Sequence, residues 1–527
     1  MAKSDKMINM THSLEFIYSS PVPIKMKNIC IVGGGACGVA AFIELFIQIT
    51  SQDLKEKVGI TIIEKSKKVG YGLAFGTEEK GHLLNTQSEL MGIYSREVSH
   101  FTEWLSNNAD RARGKVEDNG EIETAYTSRI MYGDYLYEQF SYYLEKAKEI
   151  GVDAKLVCDE VNDINYENGN FLVSIKESDP IVSDYVILAL GNPEATNFKE
   201  FEKFNQFLNT PWPSHKVKQL VEPGDHVGIL GSSLSAIDTI MTLVDNGHKG
   251  KISCFSIEGL LPRVQPINNK EIDREILTLT NVHKIKREHF RAPKVTEIFR
   301  LFIQEVEKQF GKKLDWKKLD RMGGDAYTYL KEDIAAAEEG GDPLLNVAYS
   351  LRYDAATLWS WLSRDQKNFF KKWLGPQWTV NRHGMPLANA KKLVPLFESG
   401  VLHVFAEVGD IEHENGSFTI SYGNGEIQNV DKLINATGSP SKLEAMDCNL
   451  TSNMIKKGLI KPYEGGGALI NELTMEVLNP KSINGIYATG HMVNGMMLDV
   501  NAVWYNVRSI ASLTKDIIFK VRYGEGS

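Results

Sequence analysis

Three glycines, Gly33, Gly35 and Gly38, stand in G-x-G-x-x-G spacing inside NICIVGGGACGVAAFIELFIQI, residues 28–49. A short apolar run precedes them and an apolar-periodic segment fit for a helix follows. Glycine weakens a strand interior and makes a poor helix start, so the run must serve something that comes close to the backbone. In this order the first glycine makes a tight turn, the second admits a pyrophosphate and the third lets helix pack on strand. The helix N-terminus then offers unpaired N–H groups and a partial positive charge. A second apolar run, VGITIIEKS, ends in Glu64, 26 residues past Gly38. A carboxylate there accepts the two hydroxyl hydrogens of a ribose. Strand, glycines, helix, strand and acid predict an adenine dinucleotide site.

A second turn repeats the plan in HVGILGSSLSAIDTIMTLV, residues 226–244, with Gly231, Ser232, Ser233 and Ser235. Ser233 stands where a strict fingerprint has its second glycine, so the cofactor is expected slightly further off. Three more stretches, DYVILALGNP (184–193, with Gly191), DKLINATGSP (431–440) and NGIYATGHMVNG (484–495, with Gly490), each read as a short strand ending in a small-residue turn. Strand exits of this kind line a ligand crevice at the carboxyl end of a parallel sheet. The pattern predicts an α/β fold with two Rossmann-like dinucleotide-binding domains and an inserted helical lobe.

This pattern resembles the two-dinucleotide-binding flavoproteins of the FAD/NAD(P)-binding family, in which an FAD domain is interrupted by an NAD(P)H domain, and within it the flavin-dependent N-hydroxylating monooxygenases of the aspartate N-monooxygenase (nitrosuccinate synthase) type. The likeness is strongest at VGYGLAFGTEEKGHLLNT (69–86), RIMYGDYL (129–136), GSSLSAID (231–238) and GLLPR (259–263), and covers most of residues 27–266 and 378–515. The resemblance implies that Gly33, Gly35, Ala36, Cys37, Gly38, Glu64 and Lys65 hold the ADP half of FAD. It sets Gly72, Ala74, His82, Leu84 and Asn85 near the flavin ring or its phosphates, and Val157 or Val161 against the adenine. Gly490, Asp499 and Asn501 precede a last helix whose amides would face the flavin. Asp499 and Trp504 stand where relatives tend to carry a glutamate and a proline, and Asn435 replaces a leucine or phenylalanine in the D-x-x-x-small-A-T-G pattern.

The implied activity is reduction of FAD by NADH or NADPH, reaction with O₂ to a C4a-hydroperoxyflavin, and oxygen transfer to the amine of a small molecule such as an amino acid. The alternatives are a flavin oxidase or reductase without oxygen insertion, or a nucleotide-binding relic without turnover. Glu258, after the strand KISCFS, would accept from a free 2′-hydroxyl and repel a 2′-phosphate, which leans towards NADH; Arg263 would lean the other way. A substrate carboxylate needs a cation, and Arg96, Arg129, Arg263 and Arg382 are the arginines nearest these motifs.

The elements that must position these residues divide the 527-residue chain into an FAD-binding domain (25–218 and 439–527), an NAD(P)H-binding domain (219–268 and 378–438) and a helical insertion (269–377). The insertion carries apolar residues at three- and four-residue spacing, with Trp359, Trp361, Phe369, Phe370 and Trp373 read as helix core. It would cap the active site or form a homo-oligomer interface. EEGGDPL (338–344) is read as a loop within it, and WTVNRHGMPLAN (378–389), with His383, as its exit. A net charge of −9 offers no footprint for nucleic acid or an anionic membrane. Five scattered cysteines without a CxxC pair argue against dithiol chemistry, disulfides and metal, and for a reducing, cytoplasmic setting. No apolar run is long enough for a signal peptide or membrane span, and the first 24 residues read as a mobile leader.

Overall fold

The computed structural model describes residues 26–112, 116–117, 121–194, 196–266, 268, 270, 272–314, 321, 324–382 and 384–524. The leader and His383 lie outside them. Among the described residues no helix is long and apolar enough to cross a membrane.

Two five-stranded parallel sheets carry the chain. The first runs in the order Ile486–Ala488, Tyr185–Leu188, Lys27–Val32, Val58–Ile63, Ala154–Val157. Its strands are apolar nearly throughout because helices cover both faces. Helix Ala36–Ser51 packs on it and against the last helix, Val503–Tyr523. The second sheet runs Phe207–Leu208, Lys432–Asn435, Val227–Leu230, Ile252–Phe255, Leu402–Phe405. The two are built alike: in each, the strand before the glycine turn is central, and a three-stranded antiparallel meander precedes its neighbour, 161–183 in one and 411–430 in the other. The α/β reading with two Rossmann-like units is thus the observed architecture.

The unit boundaries differ from those read off the sequence. Phe207–Leu208 pairs in parallel with Leu433 and Ile434, so the second unit starts before residue 219. A two-residue strand has no periodicity, which is why it is silent in the sequence.

The middle region is helical: Leu279–His289, Val295–Phe310, Ala326–Glu338, Pro343–Ser350, Ala355–Trp361, Arg364–Trp373 and Gly375–Arg382. Thr278, Asp325, Asp342 and Ser363 each accept a backbone N–H at a helix start. The GGD loop falls where expected, with Gly340 and Gly341 at φ +91° and +85°. The region is not a separate lobe throughout. Ala326, Leu330 and Ala337 belong to the core of the second unit, whereas Trp359 packs toward Leu498 and donates Nε1–H to the Met496 carbonyl at 2.9 Å. Phe369 and Trp373 are exposed at the rim, against the reading of the whole aromatic stripe as core.

Candidate cofactor site

The two glycine turns share one backbone plan. Gly33 N–H donates to the Ile63 carbonyl at 2.8 Å, and Gly231 N–H donates to the Phe255 carbonyl at 2.7 Å. Ala189 N–H donates to Val32 and Ala436 N–H to Leu230, each at 2.9 Å. Gly33 and Gly231 have φ of +103° and +104°, a region that L side chains rarely enter, and a Cβ on Gly231 would lie 3.0 Å from the Ala436 oxygen. Gly38 is needed for space, since a Cβ there would overlap the Gly33 carbonyl. Its counterpart Ala236 is fully buried.

The disputed position is also alike. Gly35 precedes its helix at φ −73°, ψ −167° and Ser233 at φ −89°, ψ −163°, ordinary extended backbone. Serine is therefore conformationally equivalent there. Neither helix has a side-chain cap, so the first-turn amides, including those of Ala36, Cys37 and Ser235, are left to a ligand. A Cβ on Gly35 would meet no atom within 4 Å.

Glu64 is buried and oriented by two backbone donors: Gly34 N–H reaches Oε2 at 2.6 Å and Ser66 N–H reaches Oε1 at 2.8 Å. Each oxygen keeps a lone pair for a ribose hydroxyl. Lys65 beside it is exposed. The following loop folds back across the turn. Gly70 N–H donates to the Gly34 carbonyl at 2.7 Å, and a Cβ on Gly72 would lie 3.6 Å from the Gly35 Cα. Half-buried Ala74 follows in the same loop. From the other side Gly490, at φ +63°, comes up to Cys37, whose sulfur would lie 3.3 Å from a Cβ there. Burial pushes the Cys37 thiol up to about 11, which leaves it a neutral packing group. Gly33–Gly38, Glu64, Gly72 and Gly490 are thus brought together. Gly191 exits its strand at φ +73° in open space. Leu84 is buried with its N–H on the Thr127 carbonyl, and Asn85 beside it is half-buried. Asp499 is buried just before the last helix, and Asn501 is exposed. Val157, whose carbonyl takes Glu64 N–H at 3.0 Å, is the strand residue nearest that acid; Val161 begins the meander and pairs with Ile175.

Three of these side chains are engaged within the protein, and a fourth does not occupy the position equivalent to Glu64. His82 lies in the seam between the units with both ring nitrogens engaged, Nδ1 with Thr77 Oγ1 at 2.8 Å and Nε2 with the Asp238 carbonyl at 2.8 Å and Thr242 Oγ1 at 2.9 Å. No ring nitrogen is left for a flavin. Arg129 donates to Asp238 at 2.7 Å and to the Leu83 carbonyl at 3.1 Å, with its guanidinium over Trp212. Arg263 is buried on Asp333 (2.7 Å), Asp342 and Asn381 (3.1 Å), so three of its N–H groups, one from each nitrogen, hold the middle helices. Glu258 is half-buried, but it is not the counterpart of Glu64. That position is Ser256, the residue after the strand end that receives Gly231, and its hydroxyl bonds Ser232 at 2.9 Å and accepts from Gly259 N–H at 2.9 Å. Counting from the strand end is the signal that would have found it. Of the other arginines, Arg96 is exposed and the side chain of Arg382 lies outside the described residues.

Further polar contacts join the two units along this seam. Glu79 binds Lys218 at 2.7 Å, Ser214 at 3.0 Å and Asn246 at 2.9 Å; burial raises its pKa, but these bonds outweigh it and hold the carboxyl below its usual range. Gly81 donates to Asp245 at 2.7 Å and its carbonyl accepts from Asn389 at 2.9 Å. Between the two strand exits, His491 Nε2–H donates to the Pro440 carbonyl at 2.8 Å.

Residues 30–193 match the family model described as FAD-NAD(P)-binding. The chain is 22% identical over 466 residues to the uncharacterised protein YdhS of Escherichia coli K12, across 78% of this chain and 83% of that one. Its fold is similar to an ornithine hydroxylase of Pseudomonas aeruginosa (TM-score 0.54, 12% identity, 93% of this chain and 100% of that one). It is also similar to an L-lysine 6-monooxygenase of Pseudomonas syringae (TM-score 0.54, 14% identity, 94% and 100%). A third similar structure is an ornithine N-hydroxylase of Kutzneria sp. 744 with reduced FAD, NADP+ and L-ornithine (TM-score 0.54, 11% identity, 94% and 100%). The fold is similar to that of these three enzymes, and the first glycine turn lies in the segment that matches the FAD-NAD(P)-binding model.

Proposed function

We propose that the chain is an FAD-dependent monooxygenase that uses NAD(P)H and O₂ to oxygenate the amine of a small molecule such as an amino acid. The observation that carries this reading is the pair of glycine turns on one backbone plan, each opening an uncapped helix, with the units joined by a buried polar seam. The first turn fits FAD: Gly35 leaves room for a pyrophosphate, the amides of Ala36 and Cys37 are unspent, and Glu64 keeps acceptors for a ribose. The second turn, through Gly231, Ser232, Ser233 and Ser235, would hold the pyridine nucleotide.

Bound FAD supplies the chemistry, taking electrons from the nicotinamide and passing oxygen to the substrate. The protein's own part is placement. The contacts of His82, Arg129 and Glu79 hold the units in one orientation and would thereby set the spacing between the two cofactors they bind. The helix Val503–Tyr523 directs its N-terminal amides toward developing negative charge. An amine-oxidising role is supported by the sequence resemblance and by the likeness of fold to ornithine and lysine hydroxylases.

The test is oxygen consumption by the FAD-loaded protein with NADH or NADPH over a panel of amines, with hydroxylamine and hydrogen peroxide measured together. Hydroxylamine in step with oxygen used supports the reading. Peroxide accounting for all the oxygen shows an oxidase, and flavin that is not reduced shows a relic.

A further inference from the structure

The middle helices meet the first unit along a seam that no glycine motif marks. Tyr349, in helix Pro343–Ser350, bonds Gln87 Oε1 through its hydroxyl at 3.3 Å, two residues past Asn85. The next turn, Leu351–Tyr353, brings Tyr353 within 6.3 Å of the Trp504 ring at the start of the last helix. Residues 349–353 therefore span the two elements that, in the reading above, flank the flavin ring.

Arg352 lies half-buried in this segment and is held differently from Arg129, Arg263, Arg274 and Arg321. Arg129, Arg263, Arg274 and Arg321 each hold a carboxylate, on Asp238, Asp333, Asp354 and Asp333 respectively. Arg352 forms no ion pair among the described residues. Its guanidinium lies 4.3 Å from the Tyr349 ring centroid and 4.6 Å from that of Tyr353. Nη1 reaches only the Tyr349 carbonyl, at 3.5 Å, and the buried Nε has no partner. Asp354, two residues on, is committed to Arg274 at 2.6 Å. Arg508 of the last helix lies 5.1 Å from the same Tyr353 ring, again with no ion pair among the described residues.

Two tyrosine rings fix the plane of this guanidinium, and a fixed planar fork with unspent donors matches a carboxylate. Exposed Arg508 adds a second guanidinium beside Tyr353, and neither arginine has an ion pair among the described residues. We infer that Arg352 anchors a carboxylate of the substrate, so that the amine to be oxygenated belongs to an amino acid or another amine-bearing acid. This inference rests on the monooxygenase reading for the identity of the reaction, but the anion site stands on its own contacts.

The test is calorimetric titration of the FAD-loaded protein with L-aspartate, succinate and glutarate, and with succinamide as neutral counterpart. Wild type, Arg352→Lys and Arg352→Met are compared, with flavin reduction by NADH and NADPH measured alongside. At least one carboxylate is expected to bind wild type while succinamide does not. Arg352→Met should weaken that binding by about 10- to 100-fold, the effect of losing a hydrogen bond to a charged group. Arg352→Lys should retain part of it, and flavin reduction should be the same in all three. The inference is overturned if wild type binds none of the acids, if Arg352→Met binds as tightly as wild type, or if succinamide matches succinate. Normal flavin reduction with no carboxylate binding overturns it alone, whereas failure to hold or reduce FAD overturns the monooxygenase reading as well.

Discussion

His82 and Asp238 are joined across the two units at 2.8 Å, imidazole Nε2 to backbone carbonyl. A carbonyl only accepts, so the proton sits on Nε2 and the ring is positioned as a donor. Burial lowers the pKa of His82 below the usual 6.5, against the opposing charge of Asp238. The unfolded chain therefore binds the proton more readily, and stability that is complete above about pH 6.5 falls as the pH drops through the window below it. The thermal midpoint should decline from pH 7 to pH 5. His82→Gln should cost about 1–3 kcal/mol at pH 7 through lost buried hydrogen bonds and should flatten that decline. His226, His248 and His491 are also lowered by burial, so part of the slope remains. An unchanged slope in His82→Gln would remove His82 as its source.

Gly35 and Gly38 separate binding from folding. Gly35→Ala introduces a Cβ into open space at an ordinary φ, so the apo-protein should keep its stability within about 0.5 kcal/mol. FAD affinity should fall by at least about tenfold, because the methyl occupies the approach of the pyrophosphate. Gly38→Ala overlaps the Gly33 carbonyl and should destabilise the fold with or without cofactor. Flavin fluorescence titration together with thermal melting reads both; equal FAD affinity in Gly35→Ala and wild type would place the pyrophosphate elsewhere.

The strands, turns and helices around the glycines were legible because short apolar runs, positive-φ glycines and helical periodicity are local signals. Ser233 read as a degraded fingerprint only because spacing does not report φ, which is negative at both Ser233 and Gly35. The roles of His82, Arg129 and Arg263 were not legible: Asp238 is 156 residues from His82, and Asp333 is 70 from Arg263. A polar side chain in a motif shows its type, but a partner at that separation decides whether it faces a ligand or the protein. The unit boundary failed for a similar reason, since Phe207 and Leu208 are a strand only through Leu433 and Ile434.

Arg263 gives a sharp contrast between structural and nucleotide-binding roles. It is 5% exposed and compensates two carboxylates, Asp333 and Asp342. Arg263→Met removes the cation from Asp342 and leaves Asp333 with Arg321 alone, and breaking a buried pair by removing one partner costs about 3–5 kcal/mol. Chemical denaturation should show that loss, and the NADPH-to-NADH ratio of kcat/KM should stay as in wild type. A selective loss of NADPH use with unchanged stability would restore Arg263 as a phosphate contact.

We propose that Glu258 biases the nicotinamide choice. At the Glu64 position the second unit has Ser256, whose hydroxyl is already bonded to Ser232 and Gly259. No carboxylate there would oppose a 2′-phosphate, and Glu258, two residues further along the chain, is the carboxylate that would. Glu258→Gln removes a charge without changing the turn and should raise the NADPH-to-NADH ratio of kcat/KM about tenfold, the effect of roughly 1.4 kcal/mol of relieved repulsion. Ser256→Asp would add a carboxylate at the Glu64 position and should lower the ratio. Steady-state flavin reduction with each nucleotide measures both variants. If neither substitution moves the ratio, the ribose lies away from this turn, and the second strand end does not select the cofactor.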